Sequence, residues 1–498
     1  MKKEAEVFLN NHRAAAPSIN KPALASLAFT ASGLLSKGLA LIFTPIFTRL
    51  LSPSDYGAYS LFTSYLSVLL VLGSLELSAG VLVRVIQKSR KTAYLTLLSA
   101  SLLTALSSSL VCLAFIIIRR ITGGGELFPY SDLFLFIMCI SNGIINLYLA
   151  KSRFLYKWKS VLAASLIQSL IIPLSSIAAL NLRSLSPWNH VTVKIGIASI
   201  IMLAAAIFFL IVITFGAIRE LRSEKIFGKA ALRPALRSVR DLLKLSAPLL
   251  PYYLSIMLIS QMSRGFISEH FGNEAVAVYS VAYSLGISMN AVSSGVLGSL
   301  CPWIMRKIRA EEYGKISKTL DALLKISTLA IGVFLAFSRE LLSVVAPPSY
   351  VSGLPIVLII SLCPLPLSLI SVMSSAAIAG ERVGGVVLSG VIPALLLLLS
   401  NLLFSASGGI TLYAALTLGA YILVYILQSV NIRRIFGRAM ISEIGVFSAL
   451  LLLFAEGILI YILKDLFLPR LLIASACAIA LGIILKRSSW ILKEYKKQ

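Results

Sequence analysis

Residues 195–217 read IGIASIIMLAAAIFFLIVITFGA, and residues 218–244 continue IRELRSEKIFGKAALRPALRSVRDLLK. The first stretch holds no ionisable group, and it is longer than the roughly 20 residues a helix needs to cross a bilayer core. The second holds Arg219, Arg222, Lys225, Lys229, Arg233, Arg237, Arg240 and Lys244, spaced largely by threes and fours, which puts much of that charge on one helix face. Such a stretch reads as a helix lying on a membrane surface against anionic lipid.

The same pairing of apolar span and basic flank recurs along the chain. Apolar segments are read at 22–48, 57–82, 93–118, 131–150, 160–181, 195–217, 245–265, 276–301, 320–343, 353–377, 384–405, 410–429, 441–463 and 469–486. Numbering the flanks from the N-terminus, the odd ones hold thirty-four of the 45 Lys and Arg. The even ones hold Arg49, Arg119, Arg120, Arg183, Lys194, Arg264, Arg339, Lys464 and Arg470, while Lys37 and Lys325 fall inside segments. This is the positive-inside pattern, and it places both termini in the cytoplasm of a multi-pass protein of the cell membrane. The first twenty residues are polar and do not read as a cleavable leader, so segment 1 would act as the insertion signal.

Composition agrees. The chain is 58% hydrophobic and only 13% charged, with mean hydropathy +0.92, whereas soluble domains carry about 25% charged residues. The net charge of +25 sits in short loops beside spans rather than in a separate basic domain, so nucleic acid is not an expected partner. Cys112, Cys139, Cys301, Cys363 and Cys477 lie in or beside apolar segments, and His12, His190 and His270 are isolated, so neither a metal nor another cofactor is expected. No Walker A loop, nucleophile elbow or zincin motif occurs, so the chain is not expected to be an enzyme.

Ionisable groups within the spans are the candidate site, because a charge in hydrocarbon costs roughly 2.5–3.5 kcal/mol or more and normally faces a cavity or a partner. Lys37 lies in segment 1, Glu76 in segment 2, Arg264 near the outer end of segment 7 and Glu456 in segment 13. Lys37 reads as a cavity cation for an anionic substrate, or as the partner of Glu76; Glu76 is otherwise a candidate ion-coupling group. Arg49 and Arg264 could instead snorkel outward, Arg84 could be a topology anchor, and Glu456 is expected to pair with a neighbour or water. Asp321 and Lys325 read as a pair one turn apart at the start of segment 9. Pro355, Pro364 and Pro366 predict a broken segment 10.

The stretch Phe47-Thr48-Arg49-Leu50-Leu51-Ser52-Pro53-Ser54-Asp55-Tyr56-Gly57-Ala58-Tyr59-Ser60 resembles the turn between the first two helices of bacterial polysaccharide (Wzx-like) flippases. These are transporters of the MOP, or MATE-like, superfamily. Gly73 to Arg84 resembles the end of that family's second helix. Ser263-Arg264 through Ala277-Val278-Tyr279-Ser280 resembles its seventh-to-eighth helix segment, with Ser263 where the family often has an acidic residue and Ala277 where it has glycine.

The resemblance implies an all-α integral membrane protein of about 14 transmembrane helices, with two six-helix lobes of MATE/MOP type plus two extra C-terminal helices. The expected divisions are an N-terminal lobe at 1–217, a basic cytoplasmic linker at 218–244, a C-terminal lobe at 245–430, and the extra helices with a basic tail at 431–498. A faint internal repeat, Tyr59-Ser60 against Tyr279-Ser280 with an Arg before each, fits two lobes.

The implied substrate is an undecaprenyl-diphosphate-linked oligosaccharide repeat unit for surface polysaccharide (O-antigen, capsule or exopolysaccharide), moved by alternating access. Lys37, Arg49, Arg84 and Arg264 are the positions that would bind it. The extra helices could line the path of its lipid tail. Partners would extend to a polysaccharide polymerase and a chain-length regulator. A multidrug or cation antiporter, a peptidoglycan-precursor lipid flippase and a membrane glycan polymerase remain competing readings. The antiporter would need acidic cavity residues, and the polymerase a large outer loop that this chain lacks.

Overall fold

The computed structural model describes residues 42–78, 93–123, 125–154, 190–223, 229–290, 312–379, 383–404 and 408–487, with isolated positions between 161 and 178 and between 304 and 310. All regular structure among them is helical. In chain order the helices are α1 (42–50), α2 (Pro53–Ser74), α3 (Ala93–Ile121), α4 (Ser131–Phe154), α5 (His190–Ser223), α6 (Lys229–Ser246), α7 (Leu250–Gln261) and α8 (Ser263–Ile287). There follow α9 (Tyr313–Ala336), α10 (Ser338–Val345), α11 (Leu354–Ile360), α12 (Pro364–Ala379), α13 (Val383–Leu403), α14 (Gly409–Phe436), α15 (Glu443–Ile462) and α16 (Phe467–Arg487).

Among the described residues nine helices are long and apolar enough to span a membrane, and two bent pairs bring the number to eleven. Segments 1 and 5 of the sequence reading fall largely outside these residues, so the expected fourteen is not reached by counting them. Segment 7 covers α7 and the first turn of α8, segment 8 begins in the second half of α8, and the break between them falls at Gly272 (φ 80°, ψ 174°). The proline reading of segment 10 holds: α11 and α12 meet at a 43° bend immediately before Pro364, whose missing N–H cannot continue the ladder.

The start of α2 follows from local chemistry. Ser52 is the N-cap and accepts the Asp55 N–H at 3.1 Å, and Pro53 occupies the first turn, where its absent N–H costs nothing. The helix therefore begins four residues before the apolar run that the sequence reading took as its edge. It also ends earlier. Leu75 and Glu76 are left-handed, at φ 50° and 49°, so Glu76 sits in a turn beyond the helix rather than within it. Hydroxyls inside the spans are satisfied by bonding back one turn, as Ser64 does to Ser60 O at 2.8 Å and Ser67 to Thr63 O at 2.7 Å.

Helices α3, α4 and α5 pack on one another, with α2 against α3 and α4; α7, α13 and α14 form a second group, with α12 on α14. The two groups meet where α2 lies along α7 and α8. The approach is closest at Gly57, where any Cβ would collide with the Asn273 carbonyl. At the same end the Thr48 hydroxyl donates to Val345 O at 2.9 Å, Arg49 donates to Val344 O at 3.0 Å, and the rings of Tyr56 and Tyr350 meet edge-on. Basic α6 packs on α3. It leaves Arg237, Arg240 and Leu236 exposed while burying Leu242.

The C-terminal pair α15 and α16 docks on α9. Buried Arg470 forms a bidentate pair with Glu340 of α10 at 2.6 and 2.7 Å, and Arg339 pairs with Asp465 at 2.7 Å. Glu456 lies against Gly332 and accepts from the Cys477 thiol at 3.8 Å, so its neighbour is a weak donor rather than a cation. Asp321 accepts the Ser442 N–H at 3.4 Å and forms no ion pair with Lys325, contrary to the helical-pair expectation.

Burial alone would raise the Glu340 carboxyl, but the Arg470 hydrogen bonds and the charge of Arg339 hold it below the usual carboxylate range. A depressed carboxyl stabilises the fold above its unfolded pKa, and the contribution is lost as pH falls through the lower folded value. Acidification should therefore lower the melting temperature in detergent more for the wild type than for Glu340→Gln. At the seam, Gly57→Ala should cost about 1–3 kcal/mol by overpacking. Gly419→Ala, where a Cβ meets nothing within 4 Å, serves as the neutral control in the same melts.

Candidate functional site

Where α1, α2, α7 and α8 converge they enclose a cavity of about 390 Å³. Its α2 wall is a stripe of hydroxyls, Ser60, Thr63, Ser64 and Ser67, at the three- and four-residue spacing of one helix face. Tyr56, Tyr59, Phe43 and Phe47 close one side. Gln168, Ser169, Gln261, Ser280 and Ser284 add further amide and hydroxyl groups, and Arg264 supplies the cation. No carboxylate lines the cavity among the described residues.

Arg264 sits in the first turn of α8, only 6% exposed, so the snorkelling alternative does not apply to it. Its Nε donates to Ser280 Oγ at 3.0 Å, and Nη1 donates to Ser260 O at 2.9 Å and Gln261 Oε1 at 2.8 Å. The guanidinium stacks 4.7 Å from the Tyr283 ring centroid and 5.8 Å from that of Tyr279. Nη2 donates to no described group. The fork is thus held by neutral partners, with no acid among the described lining residues, a standing attraction for an anion in a low dielectric. Ser263, which stands where the resembled family often has an acid, contacts the Thr417 hydroxyl at 3.3 Å.

Of the other sequence candidates, Arg49 and Glu76 do not line this cavity. Arg49 is exposed and bonds to Pro45 O and Val344 O, both at 3.0 Å. Glu76 lies in the turn after α2, where its N–H meets Ser74 Oγ at 3.3 Å. Lys37 and Arg84 lie outside the described residues.

Two features escaped the sequence reading. The hydroxyl stripe of α2 was visible as spacing, since 60, 63, 64 and 67 fall on one face of an otherwise apolar helix. Lys194 was assigned to an outer flank but is fully buried in α5. Its ammonium stands 3.5 Å from the Phe47 ring centroid and 3.9 Å from that of Tyr59, with no hydrogen-bond partner among the described residues. The attraction of a cation to two rings, about 2 kcal/mol, does not offset the several kcal/mol it costs to take an ammonium out of water. Those two rings also face the cavity, so a buried amine lies directly behind its wall. No spacing signal marks this, because the cage is assembled from three separate helices.

Lys194→Met keeps the stem and removes the charge, and it should melt no lower than wild type. Lys194→Ala should lose about 2–5 kcal/mol to the void left beside Phe47 and Tyr59. Thermal unfolding of the detergent-purified protein separates the two, and equal losses would show that the charge itself holds the fold.

The family described as "Polysaccharide biosynthesis protein" matches residues 25–308. No curated protein matches the chain. Among solved structures, an inward-facing multidrug resistance MATE family transporter of the MOP superfamily is similar with a TM-score of 0.55 at 11% identity, over 82% of this chain and 95% of that one. The lipid II flippase MurJ in an inward closed conformation aligns with a TM-score of 0.53 at 15% identity, over 93% of this chain and 99% of that one. The bent form of the Vibrio cholerae MATE transporter VcmN gives 0.52 at 16% identity, over 86% and 99% respectively. These likenesses show the fold: an all-helical, multi-pass architecture similar to that of the MATE transporters and MurJ.

Proposed function

The chain belongs to the polysaccharide biosynthesis protein family, and from that membership and the Arg264 cavity we propose that it is a flippase, not an enzyme, for undecaprenyl-diphosphate-linked oligosaccharide repeat units. The observation that carries the reading is a guanidinium buried between two helix groups, held by neutral acceptors, with no acid in the described walls. A diphosphate crossing hydrocarbon must exchange its water for such a cation. The hydroxyls of Thr63, Ser64 and Ser67, which donate back into α2, can still accept hydrogen bonds from sugar hydroxyls, and Ser60, Gln168 and Gln261 add further polar groups.

Alternating access follows from the two helix groups acting as the two lobes, 1–217 and 245–430. In this reading the contacts of Thr48 and Arg49 to the α10 carbonyls, and of Tyr56 to Tyr350, close the outer end and must part to release product. Lys37 and Arg84 are retained as further binding cations and Glu76 as the coupling group. The energy comes from an ion gradient, the membrane potential or removal of product. The protein resides in the cell membrane with both termini cytoplasmic, α6 on anionic lipid, and a polymerase and chain-length regulator as partners. The antiporter reading asks for a cavity acid, and none is seen among the described lining residues.

Arg264→Gln should cut export about 10- to 100-fold, the value of a lost charge-assisted hydrogen bond of about 1.5–3 kcal/mol. Lys37→Ala should also lower it. Protein level and membrane insertion should stay normal in both, and lipid-linked units should accumulate on the cytoplasmic side of a complemented deletion strain. Wild-type export by Arg264→Gln would remove the cavity as the diphosphate site. Accumulation of already flipped single units would instead favour a polymerase.

A further inference from the structure

The Arg264 cavity does not end at its polar wall. Ser64 and Gln261 also line a second space of about 500 Å³, whose remaining walls are almost wholly apolar, among them Leu69, Val111, Phe115 and Leu258. Ile118, at its edge, is 61% exposed. Leu110, Leu113 and Ile117 beside it on α3 are likewise exposed, so this side of the groove faces the bilayer. Its floor includes Gly265, the residue next to Arg264, where a Cβ would meet nothing within 4 Å. A lateral apolar groove and a cation-bearing polar cavity thus share a wall to which Ser64 and Gln261 both contribute.

Neither space alone specifies a ligand, but together they match one chemistry: an anionic head on a long hydrocarbon tail. We propose that the prenyl tail of the lipid-linked substrate leaves the cavity through this groove, between α2 and α3 on one side and α7 and α8 on the other, while its diphosphate rests at Arg264. The inference rests on the flippase reading and adds the route of the tail. The groove does not attract the tail relative to lipid, since bilayer chains are as apolar as its walls. It keeps the tail in hydrocarbon while the head is taken into the cavity, so that one molecule occupies both. The C-terminal helix pair is less suited. The groove of about 450 Å³ beside α15, walled by Leu358, Phe454 and Tyr461, shares no residue with the Arg264 cavity.

The test uses the full chain in vesicles of phosphatidylethanolamine and phosphatidylglycerol, with a polyprenyl diphosphate carrying a diazirine on an isoprene unit near its head. Photolabelled peptides should map to residues 111–118 and 258–265, displaced by unlabelled polyprenyl diphosphate but not by added phosphatidylglycerol. Ala114→Phe and Gly265→Leu fill the groove from opposite sides and should each reduce labelling and export about tenfold. The first lies on an exposed α3 position away from Arg264, so a fall in both cannot be assigned to disturbance of the guanidinium. Adducts confined to α15 and α16, or equal displacement by phosphatidylglycerol, would overturn the groove assignment while leaving an export defect in Arg264→Gln intact. Normal export in Arg264→Gln would instead sink the parent reading.

Discussion

The contact on which the rest depends is the meeting of α2 and α8 at Gly57. No side chain separates the two backbones there, and the Asn273 carbonyl occupies the volume a Cβ would need. Because the helices touch so closely at one end, the hydroxyl face of α2 is held toward the first turn of α8. The polar stripe and Arg264 become opposite walls of one space rather than isolated costs in hydrocarbon. The edge-on rings of Tyr56 and Tyr350 and the hydroxyl of Thr48 on Val345 reinforce the same end.

On the odd flanks, Arg237 and Arg240 of α6 are exposed, while Lys151 is buried with its ammonium over the Tyr94 ring. The even flanks are informative because three of their basic residues are buried. Arg470 is neutralised by Glu340 and anchors the C-terminal pair. Arg264 is solvated by hydroxyl, amide and carbonyl groups without being neutralised. Lys194 is held by two aromatic faces. Burial makes each unpaired charge costly, and a cost of that kind persists only where a partner or a ligand offsets it. Pairing assigns Arg470 to structure, and its absence assigns Arg264 to the cavity.

Much of this was legible in the chain before folding was considered. Apolar length and basic alternation established an all-helical membrane protein, and Ser52, Pro53 and Asp55 carried the start of α2 in their own chemistry. Glu76 misled because its neighbours continue the apolar run past a helix that stops at Ser74, where two left-handed residues turn the chain. Hydropathy averages over a window and cannot register a turn made of apolar residues.

What the sequence carried by itself was therefore one-dimensional: which stretches are apolar enough to enter the membrane, which orientation the basic flanks lead one to expect, and which ionisable residues must be explained. Local rules suffice for these because bilayer thickness, helix rise and charge bias act segment by segment. Only the tertiary structure decided that Arg264 faces the α2 hydroxyls with no acid among the described lining residues, that Lys194 is caged by Phe47 and Tyr59, and that the polar cavity shares Ser64 and Gln261 with an apolar groove. Those properties depend on which helix faces touch, and that is set by the close approach at Gly57 and by packing among residues distant in the chain.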